Sequence, residues 1–142
     1  MKDFKLNPKI VYAYVVADIL NVGHIKHLEN SKRQGDFLIV GCLSDKATLE
    51  KKPIPIVSFE ERMETIASVR YVDKVVIQDE YSPLENIKKI KPDVLMESDS
   101  HDKMPANDYV KGYGGEIVIT PYFNGTSSTD IKNKVKNNWR CN

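Results

Sequence analysis

Residues 10–17, IVYAYVVA, are β-branched, aromatic and small, with almost no charge. That pattern predicts a strand buried on both faces. The next stretch, GHIKHLENSKRQG over 23–35, reads as a helix that stops at Gly35. A second buried strand follows over 36–44, DFLIVGCLS, and then a polar, Pro-containing loop, DKATLEKKPIPIV. Residues 58–70, SFEERMETIASVR, open on Ser58 with Glu61 three positions later, a capping-box pattern. In the same segment Phe59, Met63, Ile66 and Val69 recur at helical spacing.

The alternation continues to the end. VDKVVIQ, PDVLMES and EIVITPY read as strands three to five. SPLENIKKIK is a short helix with Pro83 in its first turn and Pro92 after it. SSTDIKNKVKNNW is a final helix capped by one of its hydroxyl residues, with Trp139 behind it as a packing anchor. Residues 100–113 are less regular, and ANDYVKGYG there could form a short helix. The order β-α-β-α-β-α-β-(α)-β-α predicts an α/β domain: a Rossmann-like, doubly wound parallel sheet of five strands with helices on both faces. Ligands on such sheets bind at the carboxyl ends of the strands. That rim gathers ADILNVGH, SDKATLEKK, ESDSHD and YFNGTSST.

Within the rim, Asn21-Val22-Gly23-His24 stands where a strand becomes a helix. A helix entrance offers backbone N–H groups and partial positive charge, which suit a phosphate. Gly23 permits close backbone approach. His24 can donate an imidazole N–H to a phosphoryl oxygen as charge develops. Asn21 is a good N-cap, and its amide can also donate one hydrogen bond, without a positive charge. Ser127, Ser128 and Thr129 open the last helix and form a second anion cradle in the same way.

Composition narrows the classes. At 142 residues there is room for one domain, and a net charge of +1 provides no global field for nucleic acid or a membrane. No apolar run approaches the roughly 20 residues that span a bilayer, and MKDFKLNPK lacks a signal-peptide core. Cys42 and Cys141 fit neither a metal-ligand spacing nor a disulfide framework, so a reduced, cytoplasmic compartment is expected.

Taken in order, these motifs resemble the cytidylyltransferase-like nucleotidyltransferases, among them glycerol-3-phosphate and phosphoethanolamine cytidylyltransferases and phosphonate cytidylyltransferase domains. The family opens a helix with H-x-G-H after a strand and an Asp, matched here by Asp18, Gly23 and His24. GDFLIVGCLSD resembles its second segment through Gly35, Asp36 and Asp45. SFEERMETIASVRYVDKVV resembles a third, and NGTSSTDIK the carboxyl-terminal G-I-S-T-T-x-I, through Gly125, Ser127, Ser128 and Thr129.

The resemblance implies nucleotidyl transfer: a substrate phosphate or phosphonate oxygen attacks the α-phosphorus of CTP, with Mg²⁺, and pyrophosphate leaves. ATP is the alternative donor, and a catalytically degenerate nucleotide-binding scaffold the alternative class. It implies catalytic roles for His24, Asn21, Lys51 and Lys52. Nucleotide contacts fall to Val16, Ala17, Asp18, Gly23, Ser98, Asp99, Gly125, Ser127, Ser128 and Thr129. Substrate contacts fall to Lys46, Arg62, Arg70 and His101. Asp18 would orient the loop or help hold a metal, and a homodimer is implied with RYVD near its interface. Two positions depart from the family pattern. Asn21 replaces the first His, and Tyr122 and Phe123 stand where relatives often place an Arg.

Overall fold

The computed structural model describes residues 6–98, 105–121 and 123–138. Along the chain these form β1 (Ile10–Val15), α1 (Val22–Lys32), β2 (Phe37–Leu43), α2 (Asp45–Leu49), α3 (Phe59–Ala67) and β3 (Lys74–Gln78). Then come α4 (Leu84–Ile90), β4 (Val94–Ser98), α5 (Pro105–Gly112), β5 (Glu116–Thr120) and α6 (Ser128–Asn138). The five strands pair in parallel in the order β3-β2-β1-β4-β5, the Rossmann-like α/β architecture that the alternation predicts. Its order reverses between β1 and β4, the switch point where such sheets bind ligands.

Alternate strand residues fill two cores. Val11, Ala13, Leu38, Val40, Val94 and Met96 face α1 and α3, meeting Leu28, Ile66 and Val69. Tyr12, Ile39 and Leu95 face α4 and α5, meeting Ile87, Ala106 and Val110. The spacing of Phe59, Met63, Ile66 and Val69 is therefore a core face. Ser58 Oγ accepts the Glu61 N–H at 3.3 Å, so the capping signal marks the true start of α3.

Two local features differ from the reading of the sequence. Residues 45–49 form α2, where a loop is expected, because Ser44 Oγ caps Ala47 N–H at 3.1 Å and Thr48 Oγ1 bonds back to Ser44 O at 2.8 Å. Helix α1 ends at Lys32, before Gly35. Gly35 is small for another reason: Asp36 and Phe37 both donate to Lys9 O, so a Cβ at position 35 would lie 2.7 Å from that oxygen. The irregular stretch contains α5, which begins at Pro105. Asp99, His101, Tyr122, Trp139 and Cys141 lie outside the described residues.

The β1–β4 ladder is short, Val11 with Val94 and Tyr12 with Leu95. The two central strands thus part before their carboxyl ends, and the Tyr14 hydroxyl reaches across to donate to Glu97 Oε2 at 2.7 Å. On the same face the Tyr12 hydroxyl donates to Gln78 Oε1 at 2.6 Å and accepts from Asn86 Nδ2 at 3.0 Å. Burial pushes both phenols above their ordinary range. No helix among the described residues is long and apolar enough to cross a membrane.

Gly41 leaves the space that the Tyr12 hydroxyl fills, and any Cβ there would collide with it. Gly41→Ala is expected to cost about 1–3 kcal/mol from overpacking. Gly112→Ala, with nothing within 4 Å of the added methyl, is expected to hold or slightly raise stability. Thermal denaturation of the two variants compares them directly.

Candidate functional site: two helix entrances on one cavity

At the α1 entrance Asn21 is extended (φ −144°), and its Oδ1 accepts Gly23 N–H at 2.9 Å. In return, Asn21 N–H donates to His24 Nδ1 at 3.2 Å, closing a capping box in which a histidine takes the place of the usual Glu. This bond fixes the imidazole. Because Nδ1 accepts, the proton of the neutral ring sits on Nε2. Burial, helped by electrostatic interaction with the nearby His27 and Lys52, pushes the His24 pKa down to about 4. At neutral pH the side chain is an uncharged Nε2–H donor.

The α6 entrance is joined to this turn. Ser128 Oγ donates to Ile19 O at 2.9 Å and accepts Ile19 N–H at 3.3 Å. Asn21 Nδ2 donates to Ile19 O at 2.8 Å and to Ser128 Oγ at 3.4 Å. Ser127 Oγ caps Asp130 N–H at 3.1 Å. In the first turn of α6 the N–H groups of Ser128 and Thr129 have no partner among the described residues, as expected of a helix start. Gly23 lets the two entrances close up: a Cβ there would sit 3.0 Å from Thr126 O and 3.3 Å from the Phe123 ring. The Phe123 ring in turn lies where a Gly125 Cβ would be.

Asn21 therefore corrects one expectation. Both amide hydrogens of its side chain are used on Ile19 and Ser128, so its role is to tie the two entrances together. It does not present a donor to a phosphate.

Below the entrances two charged side chains hold the turn. Ala17 adopts a left-handed conformation, φ 54°, and the chain there directs Asp18 at the segment before α3. The Asp18 carboxylate accepts Ile56 N–H at 2.9 Å and Val57 N–H at 2.8 Å, and pairs with Lys132 of α6. Burial opposes its charge, but the Lys132 bond and the two backbone donors outweigh it and hold its pKa below the usual carboxylate range. Arg62 has no exposed surface. It donates to Val16 O at 2.8 Å, Leu43 O at 2.9 Å, Val57 O at 3.1 Å and Asp45 Oδ1 at 2.7 Å.

These contacts correct two more readings. Arg62 is not on the cavity wall: its donors are directed at the ends of β1 and β2, the start of α3 and Asp45. Asp18 is engaged by Ile56, Val57 and Lys132 and does not line the cavity. Among the described residues no three His, Cys, Asp or Glu side chains converge on a metal position.

The entrances open on a cavity of about 630 Å³. Asn21, Gly23, His24, Ser98, Ser127 and Ser128 all line it, so the structure unites these expected residues. Gly125 supports the loop beside it. Val16 and Ala17 form the backbone turn underneath and are not on the cavity wall. Lys52 is near enough to act on the His24 charge, while Lys46, Lys51 and Thr129 are exposed and are not on the cavity wall. Arg70 is far off. It precedes β3 at the amino ends of the strands, stacks on the Tyr71 ring with its guanidinium 4.9 Å from the centroid, and donates to the Tyr71 hydroxyl at 2.7 Å. Its expected substrate contact is not seen.

The sequence analysis singles out neither Lys132 nor the pair His27 and Asn30, which also line the cavity. The signal for that pair is the i, i+4, i+7 spacing of Gly23, His27 and Asn30.

A sequence model of the cytidylyltransferase-like family matches residues 16–134, and the chain belongs to that family of nucleotidyltransferases. It is 34% identical over 131 residues to the bifunctional protein HldE of Geobacter metallireducens, covering 89% of this chain and 27% of that protein. With the HldE of Campylobacter fetus it shares 37% over 123 residues, covering 84% and 26%. The chain thus spans about a quarter of the length of these relatives. The crystal structure of a lipopolysaccharide core biosynthesis protein from Thermoplasma volcanium superposes with a TM-score of 0.71 at 25% identity, covering 84% of this chain and all of that one.

Arg62→Met strands three carbonyls and Asp45, and is expected to cost about 3–5 kcal/mol in urea denaturation. Arg70→Ala is expected to leave the midpoint unchanged. The His24 ring stays neutral in the fold to about pH 4, while in the unfolded chain it takes its proton near 6.5. The unfolded state therefore binds more protons in that window, and stability falls as pH drops from about 6.5 toward 4. The slope is expected to flatten in His24→Ala.

Proposed function

We propose that the domain transfers a nucleoside monophosphate from a nucleoside triphosphate to a small acceptor bearing a phosphate or phosphonate. An acceptor oxygen forms the new bond to the α-phosphorus, the bond from that phosphorus to the bridging oxygen breaks, and pyrophosphate leaves. CTP is the donor in our reading, on the likeness of the middle and carboxyl-terminal motifs, with ATP as the alternative.

The observation that carries this reading is His24. It is a neutral Nε2–H donor of fixed tautomer on the wall of a cavity shared by two helix entrances. The nucleophile is already an anion, so the reaction needs positioning and hydrogen-bond donors more than a base. That suits a cavity wall with donors and no nucleophile–base pair. Mg²⁺ accompanies the triphosphate as its counter-ion. The name of the Thermoplasma relative supports adding sugar phosphates to the acceptors already implied, glycerol phosphate, phosphoethanolamine and a small phosphonate. A homodimer belongs to the same reading, and sedimentation velocity checks it.

Pyrophosphate release, measured with CTP and with ATP against each acceptor, tests the reaction. One donor–acceptor pair is expected to give stoichiometric pyrophosphate and a nucleotide-linked product. His24→Ala is expected to lower kcat by about 10²–10³ while the protein remains folded. Nucleotide binding without product for every pair would instead support the scaffold alternative.

A further inference from the structure

The cavity does not stop at the phosphate cradle. It continues along α1, where His27 and Asn30 follow His24 at intervals of three residues. At 1.5 Å per residue, Asn30 lies about 9 Å further along the helix than His24. Pro121 and the Phe123 ring line the cavity from the loop after β5, and Ser98 and Thr120 from the ends of β4 and β5. Helix α6 buries none of its residues, so this part of the sheet rim is left as an open slot beside α1.

We propose that His27 and Asn30 recognise the nucleoside part of the bound triphosphate, His27 by packing its ring on the base and Asn30 by meeting the base's polar edge. The inference rests on the triphosphate reading above and adds to it the residues that discriminate between bases.

Several observations converge on it. The backbone carbonyl of His27 accepts Ser31 Oγ at 2.7 Å, but its imidazole has no hydrogen-bond partner among the described residues, although burial lowers its pKa and keeps it neutral. A flat neutral ring, with one donor and one acceptor, is thus held against the cavity without a structural partner. Phe123 supplies a second aromatic surface on the same cavity, and bases bind such surfaces by stacking. An amide at the far end can donate and accept, as reading a base edge requires. The two ends divide the work: the helix entrances meet phosphate, and the second and third turns of α1 meet the base.

Calorimetric titration of the full chain with CTP, ATP and inorganic tripolyphosphate separates these ends. The native protein is expected to bind all three, with one nucleotide preferred. His27→Leu is expected to weaken the preferred nucleotide by about tenfold or more, the effect of losing one stacking partner, and to leave tripolyphosphate within about twofold. His27→Phe restores most of the nucleotide affinity, and Asn30→Ala alters the CTP:ATP ratio. Those two variants carry the test if His27→Leu does not fold. Equal losses for nucleotide and tripolyphosphate, or no loss for either, would overturn the assignment and leave the triphosphate reading standing. Failure of the native protein to bind any of the three would overturn both.

Discussion

The buried guanidinium of Arg62 is the constraint on which the rim depends. Three chain segments reach the same place, the ends of β1 and β2 and the start of α3, and each arrives with a carbonyl that the sheet cannot satisfy. One planar cation with five donors meets them all and pairs with Asp45 besides. Val57 is held from both sides, its carbonyl by Arg62 and its N–H by Asp18. A lysine could not serve, because a single ammonium cannot span these directions.

From this clamp the organisation extends upward. Asp18 is the link: anchored to residues 56 and 57 below, it also pairs with Lys132 of α6. Asn21 and Ser128 repeat the connection one layer higher. Two helix starts that are more than 100 residues apart in the chain are thereby set side by side, and His24 is oriented between them by a backbone N–H. Much of the polar chemistry at the rim acts on the protein itself. What remains for a ligand is the imidazole Nε2–H, backbone donors of α6 and the slot along α1.

The sheet was legible because buried parallel strands have a simple signature. IVYAYVV and FLIVGCL need no tertiary information to be read as central strands. The helix starts at Ser58 and Ser127 were legible for a local reason, a side chain bonding within its own turn. Arg62 was not. A charged residue among Glu60, Glu61 and Glu64 looks solvated, and only the long-range convergence of three carbonyls makes its burial favourable. Asn21 was half legible, since the cap is local but the bond to Ser128 spans 107 positions. His27 was hidden because its neighbours on the cavity come from β5 and the loop behind it, which the local pattern of α1 does not report.

Helix α6 brings Lys132, Ser128 and its own entrance to the rim while placing nothing in either core. The sheet and the rim thus rest on different interactions, apolar burial for the one and polar bonds for the other. The final helix is held to the rim through Ile19 and Asp18, by Ser128 and Lys132. Because that latch is polar and lies outside both cores, a perturbation confined to it would displace the α6 entrance while leaving the apolar layers of the sheet intact.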